Sequence, residues 1–178
     1  FSNQWSLKPN HVAIAQLSQN DVAPLVAAFT TLLADKSEAE GIALVLSFIQ
    51  SIPYSALGSD GQQRGTGFSP PAQLLLNNQG DCDSKVTLMA SLLLQLYPER
   101  KLVMIIVPGH ALIGIDLPAQ AKQQTLTIQG VNYVLAEPTG PAPLAIGHLD
   151  SNTTKAIAQQ QVRVEPFSAT TTDQTENQ

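Results

Sequence analysis

Cysteine occurs once in these 178 residues, at Cys82, which excludes an internal disulfide and any inference from disulfides about redox compartment. Basic residues are also few. Nine Lys and Arg against fourteen Asp and Glu leave a net charge of −5. That balance offers no electrostatic footprint for a nucleic-acid backbone. No basic amphipathic helix suits an anionic membrane surface. Every apolar run is broken by Pro, Thr or charge well short of the roughly 20 residues that span a bilayer, so direct membrane insertion is not expected. Zinc-type ligand spacing and a Gly-rich phosphate loop are both missing.

What is present is apolar content: 43% hydrophobic residues, enough for one sizeable core. A single domain is expected over residues 1–167, followed by a polar Thr/Gln/Asn tail, 168–178, with too little to bury to stay ordered. Starting at Phe1 rather than Met, the chain reads as processed or cut from something longer, with no signal peptide legible in it. The stretch Trp5 to Leu17 is expected to hold a short strand. Val22, Leu25, Val26, Phe29, Leu32 and Leu33 repeat at helical spacing over 21–34, with Ser18 or Asn20 as N-cap. Ser37 to Ser51 is a second helix, opened by the S-x-x-E capping box of Ser37 and Glu40 and stopped before Pro53. Pro70-Pro71 opens a short helix through Leu76, and Gly80 turns the chain into an apolar helix that ends near Tyr97-Pro98. Strands are expected at 101–107, 111–117, 124–128, 131–136 and 162–167, with Gln129-Gly130 as a hairpin turn. Helices first and antiparallel strands after define an α+β class.

The sharpest local feature is Gly80-Asp81-Cys82-Asp83, which sets the lone thiol at the mouth of that apolar helix. Unpaired N–H groups and the positive end of the helix dipole favour thiolate there. Downstream, His110 lies on one predicted strand and Glu137 at the end of another. The three form a candidate catalytic set: Cys82 as nucleophile, His110 as base in an imidazolium–thiolate pair, and Glu137 holding the other imidazole nitrogen. Neither sequence gap is local, so the geometry has to come from packing helix on sheet.

Ile52-Pro53-Tyr54, Pro70-Pro71-Ala72-Gln73-Leu74-Leu75, Gly80-Asp81-Cys82-Asp83-Ser84-Lys85, Pro108-Gly109-His110-Ala111-Leu112-Ile113-Gly114 and Tyr133-Val134-Leu135-Ala136-Glu137-Pro138-Thr139-Gly140 together resemble bacterial transglutaminase-like domains. These belong to a superfamily that includes papain-related cysteine peptidases, and the resemblance covers Ser37 to Gly147. It implies a transglutaminase-like/papain-like core, with the Cys-bearing helix packed on an antiparallel sheet. It also implies a cysteine-dependent acyl hydrolase, a peptidase or amidase working through a thioacyl intermediate on a protein or peptide substrate. The family more often carries aspartate where Glu137 stands.

Several assignments stay open at this level. Asp116 and Asp150 are rivals to Glu137, with Asp116 expected to be exposed before Pro118. His11 reads as a surface residue, and His148 lies after Ile146-Gly147 without the expected relation to the cysteine. Beside the Cys82 N–H, the second oxyanion or substrate-binding donor is either Tyr54 or Gln79. Asp81 and Asp83 cap the helix or, on the resemblance, serve as weak calcium candidates; no other cofactor is expected. The loop from Gly58 to Gly67, with Arg64, is either a substrate rim or a plain connector. An acyltransferase and a non-catalytic binding or assembly module are the alternative functions. The chain fits a soluble domain of a bacterial periplasmic or cell-envelope protein somewhat better than a cytoplasmic one.

Overall fold

A computed structural model describes residues 8–56, 67–140 and 143–167. Its described elements run α1 (His11–Leu17), α2 (Gln19–Leu32), α3 (Glu38–Ser51), α4 (Pro71–Asn77), α5 (Cys82–Leu96), β1 (Leu102–Val107), β2 (His110–Ile115), β3 (Thr125–Ile128), β4 (Val131–Ala136), α6 (Ser151–Ala158) and β5 (Arg163–Pro166). The α+β class is as expected. Two elements differ from the sequence reading. Residues 11–17 form a helix rather than a strand, capped by the Asn10 carboxamide accepting from the Ala13 N–H. Helix α6, not anticipated, is capped by Asp150. The proposed tail, 168–178, and most of the 58–67 loop, including Arg64, lie outside the described residues.

Five antiparallel strands form one sheet in the order β3-β4-β2-β1-β5. Alternation along β1 divides its side chains between two cores, as a pleated strand requires. Leu102 and Met104 join the helices α1–α5, whereas Val103, Ile105 and Val107 face Leu112, Tyr133, Leu135 and the Ala156–Ile157 side of α6. Helix α5 crosses the first core almost fully buried, and two of its hydroxyl residues are matched from within. Thr87 Oγ1 donates to the Asp83 carbonyl at 2.7 Å and Ser91 Oγ to the Thr87 carbonyl at 2.9 Å. Those internal bonds let an otherwise apolar helix carry hydroxyls into the core without orphaned groups.

Two glycines matter to the site's frame. Gly109 has φ 75°, the left-handed value that the second central residue of a Pro-Gly turn needs, and this turn joins Val107 to its partner His110. Gly114 sits mid-sheet, where an added Cβ would come within 2.7 Å of Val103 Cγ2 and 3.1 Å of Tyr133 Cβ. Gly114→Val is therefore expected to cost about 1–3 kcal/mol by overpacking, read as a lower urea midpoint with an unchanged slope.

Candidate active site

Three structural starts and ends meet at one place: the first turn of α5, the first residue of β2, and the segment leaving β4. Cys82 opens α5 and is half-buried. The N–H of Ala111, the residue after His110, is directed at its thiol, so the β2 start lies against the α5 start. On the far side of His110, Nε2 is buried without a hydrogen bond and stands 3.9 Å from Glu137 Oε1. Glu137 itself is buried. Gln50 on α3 fixes its backbone, the carboxamide Nε2 donating to the carbonyls of both Glu137 and Leu144 at 2.9 Å. Gly140 closes on the same spot, since a Cβ there would lie 2.9 Å from the Gln50 carbonyl oxygen.

The electrostatics run against a resting ion pair. Burial, then Asp83 and Asp81, push the Cys82 thiol up, and the N–H groups of Ala111 and Asp83 offset this only in part. Burial holds His110 below the ordinary imidazole value against the pull of Asp150. The thiolate expected from the helix position is thus disfavoured, because desolvation and two flanking acids outweigh the dipole, and burial disfavours the charged imidazole as well.

Of the rival acids, Asp150 belongs to the site and Asp116 does not. His110, Glu137 and Asp150 each bring one atom to within 4.8 Å of the others, the one such gathering among the described residues. Asp150 Oδ1 already accepts from the N–H groups of Asn152 at 2.6 Å and Thr153 at 3.2 Å, and Oδ2 accepts from Thr153 Oγ1 at 2.5 Å. Those bonds commit it to capping α6 rather than to a cation. Asp116 follows the opposite end of β2, where it is half-buried rather than exposed and Oδ1 accepts from the Lys101 N–H. His148 is exposed.

Tyr54 is half-exposed, and its phenol is pushed up by burial and then by Cys82, Asp81 and Asp83, which puts it on the thiol's side. Its backbone bridges to Gly80, with the Gly80 N–H donating to Pro53 and the Ser55 N–H to Gly80. Gln79 is exposed beside that bridge.

His11 is the clearest correction. Far from lying on the surface, it is buried between α5 and β5, with Nδ1 3.0 Å from Glu165 Oε2 and Nε2 3.5 Å from Asp83 Oδ2. Phe68 packs edge-on against the ring. Burial opposes its charge, but Asp83 and Glu165 outweigh that and hold His11 above the ordinary value. Asp81 Oδ1 and Asp83 Oδ1 both accept from the Ser84 N–H, at 3.2 and 3.0 Å. The two calcium candidates are therefore engaged by the helix N-terminus and His11, and among the described residues they belong to no cluster of three His, Cys, Asp or Glu side chains. Sequence reasoning missed the roles of His11 and Gln50, which are placed by tertiary packing without a local signal, and that of Thr153, which is placed by the Asp150 cap of a helix that was not anticipated.

Burial and the neighbouring Asp83 push Asp81 up from 3.8 to about 7. Across that window the folded state keeps a proton that the unfolded state releases, so stability falls as pH rises from about 4 to about 7. Asp81→Asn keeps a capping oxygen and removes that slope. Its melting temperature should fall less between pH 5 and pH 8 than the wild type's; an identical fall would contradict the assignment.

No protein-family model, curated protein or solved structure matches the chain.

Proposed function

We propose that the chain is a transglutaminase-like cysteine hydrolase acting on a peptide or amide bond. What supports this reading is the approach of His110 Nε2 to Glu137 at 3.9 Å together with the N–H of Ala111, one residue on from His110, aimed at the Cys82 thiol. In the reaction, His110 takes the thiol proton as sulfur bonds to the acyl carbon. The Cys82 N–H, at the first position of α5, and the Tyr54 hydroxyl are the donors for the oxyanion. Collapse breaks the C–N bond, and the amine leaves with the proton held by His110. Water then attacks the thioacyl carbon, again giving its proton to His110, and sulfur departs and recovers that proton. Beginning from a neutral pair suits this cycle, because the imidazole is free to accept at neutral pH.

The raised thiol and its half-burial favour one other reading, a binding module that keeps the arrangement without turnover. A pool of internally quenched peptides separates the two. Hydrolysis by the wild type that disappears in Cys82→Ala supports the hydrolase. No cleavage across the pool, together with no thioacyl mass on Cys82 after exposure to an activated ester, supports the module.

A further inference from the structure

The acid beside His110 is a pair, and its members are held very differently. Asp150 stands at the N-terminus of the eight-residue α6, where three donors from Asn152 and Thr153 point at its two oxygens. Glu137 is only 4% exposed, and the backbone N–H that reaches its carboxyl is that of Asp150, at a long 3.3 Å. Glu137 shares the Thr153 hydroxyl with Asp150, toward whose Oδ2 that hydroxyl makes the close 2.5 Å bond. Two carboxylates this close do not both ionise in a desolvated site, and the charge settles where donors are richest.

We infer that Asp150, and not Glu137, carries the negative charge that supports His110, with Glu137 a neutral carboxylic acid bridging the two. In this arrangement the Glu137 hydroxyl donates to Asp150, while its carbonyl oxygen faces His110 Nε2 and accepts from it when that nitrogen is protonated. Helix α6, absent from the sequence reading, becomes part of the site through its cap. The charge directions agree. Burial works against the Asp150 carboxylate, but Thr153, Asn152 and Glu137 overcome it and draw it down to about 2. For Glu137, burial dominates and its carboxyl is raised. The acid whose charge bears on His110 is likewise Asp150. Asp150 is thus a positioning residue acting through Glu137. The inference refines the proposed Cys-His-Glu set, but its test reads a resting property of His110 and stands whether or not the protein turns over substrate.

The experiment is an NMR titration of the His110 imidazole in the wild type, Glu137→Gln and Asp150→Asn. Glutamine reproduces a neutral acid's carbonyl, so Glu137→Gln should shift the imidazole by less than about 0.3 units, whereas losing the Asp150 charge should lower it by about one unit. Asp150→Ser also keeps a capping oxygen and should repeat the Asp150→Asn shift. A shift in Glu137→Gln equal to or larger than that in the Asp150 variants overturns the inference. Infrared spectra of wild type carrying 13C-labelled glutamate give a second reading. A protonated carboxylic acid band at pH 7, lost in Glu137→Gln, is expected, and its absence also overturns the inference.

Discussion

His110→Ala is expected to lower hydrolysis about 10²–10⁴-fold, the usual contribution of a positioned proton-transfer group, and Cys82→Ala to reduce it to background. The imidazole's role follows from its surroundings. Burial holds it below the ordinary imidazole value, the N–H of the neighbouring Ala111 is directed at the thiol, and Nε2 stands 3.9 Å from Glu137 Oε1, so in the proposed reaction Nδ1 is the nitrogen that takes the proton of Cys82. Alanine removes that acceptor while leaving β2 and its Pro-Gly turn unstrained. The thiol is itself raised, by burial first and then by Asp83 and Asp81, so little thiolate is present at neutral pH to act without a base. A loss below tenfold, with folding intact, would place the base elsewhere. The measurement is kcat/KM on the best peptide from the quenched pool.

The largest expected loss of stability comes from a residue that does no chemistry. Lys85 is fully buried on α5, and its ammonium Nζ donates to the carbonyl of Ile52, the residue that ends α3. That carbonyl begins the Ile52-Pro53-Tyr54 segment, which bridges to Gly80 and puts Tyr54 near the thiol. Lys85→Ala empties a long side chain's volume and orphans the carbonyl, at a cost of about 3–5 kcal/mol. For a chain of this length, that corresponds to a fall in melting temperature of roughly 10 °C. Lys85→Met keeps most of the volume and removes a buried charge, so it should cost about half as much. Urea unfolding of both variants separates packing from the hydrogen bond; equal losses would assign the effect to the amine alone. Burial also lowers the Lys85 pKa from 10.5, so the folded state resists a proton that the unfolded state binds, and stability gains as pH rises toward that value.

Legibility in the sequence tracked how local the cause was. The α3 capping box and the Pro-initiated α4 were both readable, because each signal lies within one turn of the element it starts. The hairpin turn at Gln129-Gly130 was readable for the same reason. Helix α6 was not, since Ser151-Asn152-Thr153-Thr154 reads as a polar loop and only Ala156 and Ile157 supply an apolar face. Its cap, Asp150, decides the helix by accepting from two N–H groups, and that same cap brings a second acid to His110. His11 was unreadable for a different reason. Nothing in Asn10-His11-Val12 indicates that Asp83 and Glu165, from distant elements, close around the ring. The Cys82, His110 and Glu137 candidates were legible by residue type and order. Their charge states were not, because desolvation depends on how much of the fold covers them.

The most direct test of the central claim is the pH dependence of Cys82 alkylation by iodoacetamide in the wild type and in His110→Ala. Assistance by a neutral imidazole predicts reaction at pH 7 in the wild type, with an inflection below the ordinary histidine value of about 6.5. His110→Ala should retain only the rise of an unassisted thiol, at or above about 8.5. Superimposable profiles for the two proteins would contradict the pairing of Cys82 with His110, and the hydrolase reading with it.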